Sequence, residues 1–305
     1  MTSLIEQAAH RLEQLRQAGA EIPLTAPVTT NVKSAEKPVQ HQSLPLSRRV
    51  EIDLNALSTA GIVSPNAPRS EIADQYRVIK RPLIRNAMGK GASVINHGNL
   101  IMVTSALPGE GKTFTAINLA MSIAAELDNT VMLVDADVAR PSVMKVLGLP
   151  ESPGLLDLVL DESEDMASVL LKTNIDKLTI LPSGTSHRRA TELLASDTMI
   201  RLLDDIAKRY PDRIIIFDSS PLLLATESRV LASHMGQIVV VVRAEKTLKS
   251  EVRQALATIE ACPVKLMLLN QARTIFKGGY GYGYGYGKGY GYGYGYGYGH
   301  ERQQA

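Results

Sequence analysis

The sequence has few of the features that mark secreted, disulfide-bonded or membrane-spanning chains. It contains no tryptophan and a single cysteine, Cys262, among 305 residues. One cysteine excludes a disulfide framework within the chain and predicts a reducing compartment, with Cys262 as a small buried residue. No apolar run approaches the roughly 20 residues of a membrane helix, and residues 1–7 lack the apolar core of a signal peptide. We therefore expect a cytoplasmic protein.

Charge and histidine content give no support for two further classes of site. The formal net charge is +2, which gives no support for a nucleic-acid partner, and none is predicted. The six histidines are scattered without the spacing of metal ligands. A hydrophobic fraction of 45% is enough for a substantial core, so the chain should hold one large domain or two small ones.

The most unusual segment is an alternation of tyrosine and glycine near the C-terminus. It covers residues 280–298, is broken by Lys288, and contains nine of the 11 tyrosines. Glycine loses the most backbone entropy on ordering and has no side chain to pack, so we expect a flexible tail with accessible phenols. These tyrosines are Tyr280, Tyr282, Tyr284, Tyr286, Tyr290, Tyr292, Tyr294, Tyr296 and Tyr298.

The chain divides into three predicted regions. Residues 1–69 combine an amphipathic helix at 4–17 with a linker rich in Pro, Ser, Thr and Asn. The sequence leaves three interpretations of that helix open: it packs on its own domain, it frays in solution, or it docks on a membrane partner. Residues 70–275 form the main domain, which begins with a helix interrupted or kinked at Pro82. Residues 276–305 form the tail.

The main domain has the pattern of an α/β fold. Short apolar, β-branched runs alternate with longer helical patterns at 112–127, 191–209, 227–234 and 248–260. Continuous apolar strands indicate burial on both faces, which predicts a doubly wound, mainly parallel sheet of the P-loop NTPase type. The predicted strands are 100–104, 131–134, 178–181, 214–217, 238–242 and 266–269.

A phosphate-binding loop follows the first of these strands. Residues 106–113 read Ala-Leu-Pro-Gly-Glu-Gly-Lys-Thr, with Ala106 at the usual first glycine. Lys112 can reach the β- and γ-phosphates of a nucleotide, and the Thr113 hydroxyl can bind Mg²⁺. The predicted nucleotide-binding residues are Gly109, Glu110, Gly111, Lys112, Thr113 and Phe114.

Three carboxylates end two other buried strands. Asp135 and Asp137 follow one strand and Asp218 follows another. Because ligands bind beyond the carboxyl ends of parallel strands, these acids should gather near the phosphates. We predict Mg²⁺ at Thr113, Asp137 and Asp218, partly through water, and catalytic roles for Lys112 and all three acids. Either Asp135 or Asp137 can be the base, and Asp135 is favoured.

These motifs together resemble the bacterial tyrosine kinases of exopolysaccharide synthesis, and most of all the exosortase-associated tyrosine autokinases. Residues 106–113 fit the first family motif, and residues 214–221 fit the third in full. In the second motif, Asp135 and Asp137 match, but Ala139 stands where the family has Arg, and Arg140 comes one place later.

The resemblance implies an ATP- and Mg²⁺-dependent protein-tyrosine autokinase that phosphorylates its own tail between subunits. A helical Glu-x-x-Arg-x-x-Arg motif assembles rings in the family, and its nearest counterpart is Asp74, Arg77 and Lys80. Implied partners are further copies of the chain, a membrane polysaccharide co-polymerase as activator, and a protein-tyrosine phosphatase. The kinase would act at the inner face of the plasma membrane through that activator.

Two other functions would explain parts of this sequence pattern. Positioning and partition ATPases share the motif order but carry a signature lysine at the position of Leu107. They also have no use for a row of tail tyrosines. A structural protein with an adhesive Tyr-Gly tail explains the repeat but leaves the phosphate loop and the carboxylates without a role.

Overall fold

A computed structural model describes residues 48–65, 70–209 and 212–273. Its centre is an eight-stranded sheet with the strand order β1-β4-β5-β3-β6-β2-β7-β8. The strands are β1 (Arg49–Val50), β2 (Leu100–Ser105), β3 (Thr130–Ala136), β4 (Leu171–Thr173), β5 (Leu178–Leu181), β6 (Arg213–Ser219), β7 (Gln237–Arg243) and β8 (Val264–Asn270).

Helices connect most of the strands and cover both faces of the sheet. Two lie between β1 and β2, one between β2 and β3, three between β3 and β4, and the other four between the strands from β5 to β8. They are α1 (Leu54–Thr59), α2 (Glu71–Ala87), α3 (Lys112–Ala124), α4 (Val143–Val146), α5 (Leu155–Leu160), α6 (Met166–Val169), α7 (Ala190–Leu194), α8 (Asp197–Arg209), α9 (Thr226–Ala232) and α10 (Lys249–Ala257).

The predicted doubly wound fold is confirmed, including all six predicted strands. Every strand pairing is parallel except that between β4 and β5. The carboxyl ends of β2, β3 and β6 therefore lie side by side at one edge of the sheet. That edge is where doubly wound sheets bind their ligands.

Alternating residues of each strand supply two separate cores. In β2, Leu100 and Met102 pack into one core with the inward faces of α5, α8, α9 and α10. Ile101 and Val103 pack into the other core, against α2, α3 and α4. Burial on both faces explains why these strands read as continuous apolar runs.

The folded domain begins earlier than the linker assignment of residues 1–69 implies. β1 pairs with β4, and Ile52, Leu57 and Ile62 are buried in the core beside α3. The amide of Ile52 donates to Asn174 Oδ1 at 3.0 Å, and Asn174 Nδ2 returns a bond to the Ile52 carbonyl at 3.0 Å. Residues 49–63 therefore belong with the sheet. Local composition does not reveal this, because the contact joins residues more than 100 positions apart in the sequence.

Two helix predictions need correction. α2 runs through Pro82, so the predicted interruption is wrong, whereas the alternative, a kink, stays a prediction. Pro82 lies on the exposed side of the helix, as does Val78, whose carbonyl loses its helical hydrogen bond. The single helix predicted at 191–209 is two helices, α7 and α8. Ser196 separates them, because its Oγ accepts the amide of Met199 at 3.2 Å and caps the second helix.

Two predicted regions, the amphipathic helix at 4–17 and the Tyr-Gly tail, lie outside the described residues. Among the helices of residues 48–65, 70–209 and 212–273, none combines the length and the apolar content needed to cross a membrane.

Candidate nucleotide-binding and phosphoryl-transfer site

The loop between β2 and α3 has the backbone conformation of a phosphate cradle. Gly109 and Gly111 have φ values of 78° and 94°, a region that favours glycine. A Cβ on Gly111 would also lie 2.1 Å from Nδ2 of Asn270. Gly111 caps α3, and no side chain of the described residues caps that end. The first N–H groups of the helix are thus available to an anion.

Glu110 braces this loop from within the protein. Its side chain is buried; Oε2 accepts the amide of Leu107 at 2.7 Å, and Oε1 accepts the amide of Arg243 at 3.3 Å and the hydroxyl of Thr247. The Glu110 carbonyl accepts Nδ2 of Asn270 at 2.9 Å. The predicted ligand contact of Glu110 would therefore come from its backbone amide, because the carboxylate holds the loop against the end of β7 and the carbonyl contacts the end of β8.

Lys112 faces the carboxylates, as predicted. Its Nζ lies 2.6 Å from Oδ2 of Asp137 in a nearly buried ion pair. Asp137 Oδ1 accepts the Ser220 hydroxyl at 2.7 Å and the Arg140 amide at 3.2 Å. Asp137 thus links the phosphate loop to the turns that follow β3 and β6.

Asp135 is held by the start of α4. Its Oδ2 accepts the amides of Ser142 at 3.0 Å and Val143 at 2.9 Å. Oδ1 is buried and has no hydrogen-bond partner among the described residues. Burial raises the pKa of Asp135 to about 6, although the two amides oppose the rise. A carboxyl with this pKa can exchange a proton near neutral pH.

Asp218 lies opposite Asp135 in the register of β3 and β6. Neither carboxylate oxygen of Asp218 has a hydrogen-bond partner among the described residues, although the side chain is fully buried. Burial raises its pKa to about 7, and Lys112 and Thr113 oppose that rise. A buried carboxylate without donors is costly unless a cation compensates it, so these residues fit a hard cation such as Mg²⁺.

The other predicted residues divide into two groups. Thr113 lies in the site, and its Oγ1 is 3.0 Å from Oγ of Ser142. The side chain of Phe114 is partly buried and packs against the core beside α3, so we expect its predicted nucleotide contact to come from the backbone.

The predicted oligomer contact is only partly at the surface. Asp74 and Arg77 pair with each other on the exposed side of α2. Lys80 is 5% exposed, and its Nζ lies 2.5 Å from Oε1 of Glu126 and 2.5 Å from the Ser122 carbonyl. The prediction that Lys80 belongs to the contact is wrong, because its side chain is buried and bonds to groups of its own domain. A spacing of three residues did not distinguish the exposed positions from the buried one.

Sequence reasoning missed several residues that shape the site. Ser142, Ser220 and Asn270 contact Asp135, Asp137 and Glu110 respectively. Ser220 stands two residues after Asp218, and Asn270 directly follows the predicted strand 266–269, so position relative to the strand ends was an available signal. Ser142 had no such signal, because α4 is only four residues long.

The fold and this geometry define a P-loop nucleotide-binding protein. Residues 98–271 match the family described as AAA domain. Tyrosine-protein kinase YwqD of Bacillus subtilis strain 168 is 31% identical over 206 residues, covering 68% of this chain and 83% of that protein. The chain belongs to the AAA domain family and, within it, to the bacterial tyrosine-protein kinases. The predicted family is therefore confirmed.

Other relatives and solved structures agree. Tyrosine-protein kinase wzc of Salmonella typhimurium strain LT2 is 32% identical over 175 residues, but this chain covers only 24% of its length. The chain likewise spans 29% and 22% of two other relatives that it matches. The crystal structure of the chimerical protein CapA2B2 is similar with a TM-score of 0.57 at 27% identity, covering 73% of this chain and 94% of that one. The VpsO kinase domain matches with a TM-score of 0.53 at 25% identity, covering 67% and 100%.

Proposed function

We propose that this tyrosine kinase uses ATP and Mg²⁺ to phosphorylate the nine tyrosines of its own tail, between subunits, and so regulates exopolysaccharide synthesis and export. One observation carries the proposal. Asn270, the last residue of β8, donates to the carbonyl of Glu110 in the phosphate loop at 2.9 Å. The tyrosine repeat starts ten residues later, so phenol substrates are tethered beside a phosphoryl-transfer site.

Lys112 would exchange one anionic partner for another when nucleotide binds. In the structure it neutralises Asp137, and the N-terminus of α3 is open to an anion. A triphosphate at that helix end would draw the ammonium group away from Asp137. Lys112 would then stabilise the negative charge on the transferred phosphoryl group, and Asp137 would be released to contact Mg²⁺.

Asp135 is proposed to accept the phenol proton. Two backbone amides fix its orientation through Oδ2, and Oδ1 is left without a donor among the described residues. Its pKa of about 6 keeps it largely ionised at neutral pH and close to the value that favours proton transfer. Because Asp135 is fully buried, a phenol can reach it only after neighbouring side chains move, and the Lys112–Asp137 pair is the part that nucleotide binding would open.

The residues that would hold Mg²⁺ are Thr113, Asp137 and Asp218, partly through water. Asp218 supplies a fully buried carboxylate, and the Thr113 hydroxyl is close enough to lower its pKa. When bound, the ion would neutralise the phosphate charges that develop during transfer. A hydroxyl and carboxylates are the oxygen ligands that this ion prefers.

Transfer between subunits requires self-association, and the exposed Asp74–Arg77 pair on α2 is the proposed contact. A ring of such subunits would bring many tails together. Each phosphotyrosine adds about −1.5 to −2 charges at pH 7, so repulsion between tails should loosen the ring as phosphorylation proceeds. A protein-tyrosine phosphatase would then reset the cycle.

The proposed activator is a membrane polysaccharide co-polymerase, which would hold the kinase at the inner face of the plasma membrane. The support is the name of one relative of the chain. One relative, the succinoglycan biosynthesis transport protein ExoP of Rhizobium meliloti strain 1021, is 30% identical over 194 residues, and this chain covers 23% of it. That name links a region similar to this chain with polysaccharide transport, which supports an activator of this kind.

The test is to incubate the purified full-length chain with ATP and Mg²⁺ and to measure both its intact mass and ADP release. A gain of several phosphates with matching ADP release supports the autokinase. ADP release without added mass would instead mean a switch ATPase of the positioning type. No change in either quantity would leave a nucleotide-binding scaffold with an adhesive tail.

A further inference from the structure

The two ends of the sheet differ in how well they are protected. β1 forms one end, is only two residues long, and carries an exposed ion pair between Arg49 and Glu51. β8 forms the other end, is seven residues long, and no strand of the described residues pairs with its outer side. Long open edges invite pairing with another strand, whereas short charged edges resist it.

The face of β8 that continues the buried side of β7 is apolar and exposed. Met267 and Leu269 are 58% and 64% exposed, yet they stand beside the buried residues Val240 and Val242 of β7. The third residue of this row, Lys265, does not protect the edge. Its ammonium group turns back to donate to the carbonyls of Cys262 at 2.7 Å and Glu260 at 3.1 Å.

The chain itself provides a segment that matches this edge. After Asn270, nine residues precede Tyr280, which is ample length for a reversal beside β8. Gln271 already has a φ of 55°, a conformation found in turns. Residues 280–286 are as long as β8, and their period of two would put every tyrosine on one face of a strand and every glycine on the other.

We propose that residues 280–286 of the same chain add to the outer edge of β8 as an antiparallel strand, with their tyrosines over Met267 and Leu269. Aromatic rings lying across from methionine and leucine are favourable neighbours on a sheet face. The glycine face causes no crowding on the side where Leu266 and Leu268 pack against the core. The docked strand exchanges with a free tail, because Gly-rich strands pair weakly.

Docking would hold the unmodified tail on β8 when it is not a substrate. The effect of phosphorylation on this docking rests on the proposed function. A phosphate on a docked tyrosine would place a charge against Met267 and Leu269, where it would disfavour pairing. Phosphorylated tails would therefore remain free, and unmodified tails would return to β8. The docking itself requires neither nucleotide nor catalysis.

The test is hydrogen exchange by mass spectrometry on the full-length chain without nucleotide. The wild type is compared with a variant in which all nine tail tyrosines are Ser, and with Met267→Thr/Leu269→Thr, since Thr keeps the strand propensity but removes apolar contact. Matched controls are Met267→Leu/Leu269→Met and Leu127→Thr, the latter at an exposed leucine away from β8. Lys112→Met serves as a control without phosphoryl transfer.

We expect amides of β8 and of residues 280–286 to exchange about tenfold slower in the wild type than in the Ser variant. Met267→Thr/Leu269→Thr should lose the protection of residues 280–286, whereas the three controls should retain it. Equal exchange in the wild type and the Ser variant would overturn the proposal. Protection that grows with protein concentration would also overturn it, since a second copy would then be the occupant. Loss of kinase activity in any sample bears only on the proposed function.

Discussion

Nζ of Lys112 lies 2.6 Å from Oδ2 of Asp137, so the cation of the phosphate loop is already paired with a carboxylate of the neighbouring strand end. Asp137 also accepts Ser220 and lies two residues beyond Asp135, which faces Asp218 across β3 and β6. One lysine and three carboxylates thus form a connected group at the edge of the sheet. Substituting them one at a time distinguishes the loss of charge stabilisation from the loss of proton transfer and from the loss of metal binding.

Substituting the carboxylates one at a time should reduce tail phosphorylation strongly. Asp135→Asn, Asp137→Asn and Asp218→Asn should each lower the rate by about a hundredfold or more, through loss of the base or of a metal ligand. Asp128→Asn, at an exposed acid, is the matched control and should retain the wild-type rate. Phosphotyrosine formation in single-turnover reactions is the measurement. Wild-type rates in all three site variants would move the active site elsewhere.

The pH dependence of the reaction should report on Asp135. Because burial raises its pKa to about 6, the base is protonated below that pH and ionised above it. At saturating Mg²⁺ the rate should therefore rise as the pH increases through about 6 and then level off. The residual activity of Asp135→Asn should lack this rise. An unchanged profile in that variant would assign the titration to another group.

The raised pKa of Asp218 predicts that the free energy of unfolding depends on pH in an unusual direction. Its folded pKa of about 7 lies above the ordinary value of 3.8, so the folded state binds the proton more tightly than the unfolded state. The stabilisation is complete below pH 4 and is lost as the pH rises through 7. The free energy of unfolding should fall by roughly 2–4 kcal/mol from this group between pH 4 and 8.

Urea unfolding of the metal-free protein at pH 5 and pH 8 measures this effect. Asp218→Asn should be more stable than the wild type at pH 8, and its stability should change less between the two pH values. Mg²⁺ should stabilise the wild type at pH 8 and have little effect on the variant. A wild-type protein that is equally stable at both pH values, with an identical profile in Asp218→Asn, would contradict the assignment.

Phosphorylation between subunits predicts transfer to a catalytically dead chain. A Lys112→Met chain with an intact tail is mixed with an active chain whose nine tail tyrosines are Phe, and phosphate on the former is measured by mass. The tail of the dead chain should become labelled, and Asp74→Ala/Arg77→Ala in both chains should reduce that labelling. Absence of label on the dead chain would mean that transfer occurs within one chain.

Lys80→Ala provides a contrasting variant on the same helix. Because Lys80 is buried against Glu126 and the Ser122 carbonyl, its loss should lower the free energy of unfolding by about 1–3 kcal/mol. The Asp74 and Arg77 changes should leave stability within about 0.5 kcal/mol, since exposed ion pairs contribute little. Light scattering and urea unfolding distinguish a change in assembly from a change in folding.

The parts of the site that sequence reasoning predicted correctly are those fixed by strand ends. Asp135, Asp137 and Asp218 each follow a buried apolar run, and Lys112 follows the loop after such a run; parallel strands bring these positions to one edge whatever the connections between them. The glycine positions in the loop were equally predictable, because a left-handed φ at Gly109 and Gly111 favours that residue.

The parts that sequence reasoning missed depend on contacts between distant segments. β1 is two residues long, and Asn174, about 120 residues away, hydrogen-bonds to Ile52 just after this strand. Lys80 has the spacing of a surface motif, but whether a charged helical residue is exposed depends on what packs over it. Glu110 lies inside the phosphate motif, and its brace on Thr247 follows only from the close approach of β7 and its succeeding turn.

The proposed function requires that a phosphoryl group pass from ATP to the tail of the chain and that Lys112 stabilise the transfer. The most direct measurement is site mapping of the tail after incubation with ATP and Mg²⁺, for the wild type and Lys112→Met. Trypsin releases residues 278–288 and 289–302, which contain all nine tyrosines of the repeat. We predict phosphotyrosine in these peptides from the wild type and none from Lys112→Met. Equal labelling of both proteins, or an unlabelled tail in a wild-type preparation that hydrolyses ATP, would contradict the proposed function.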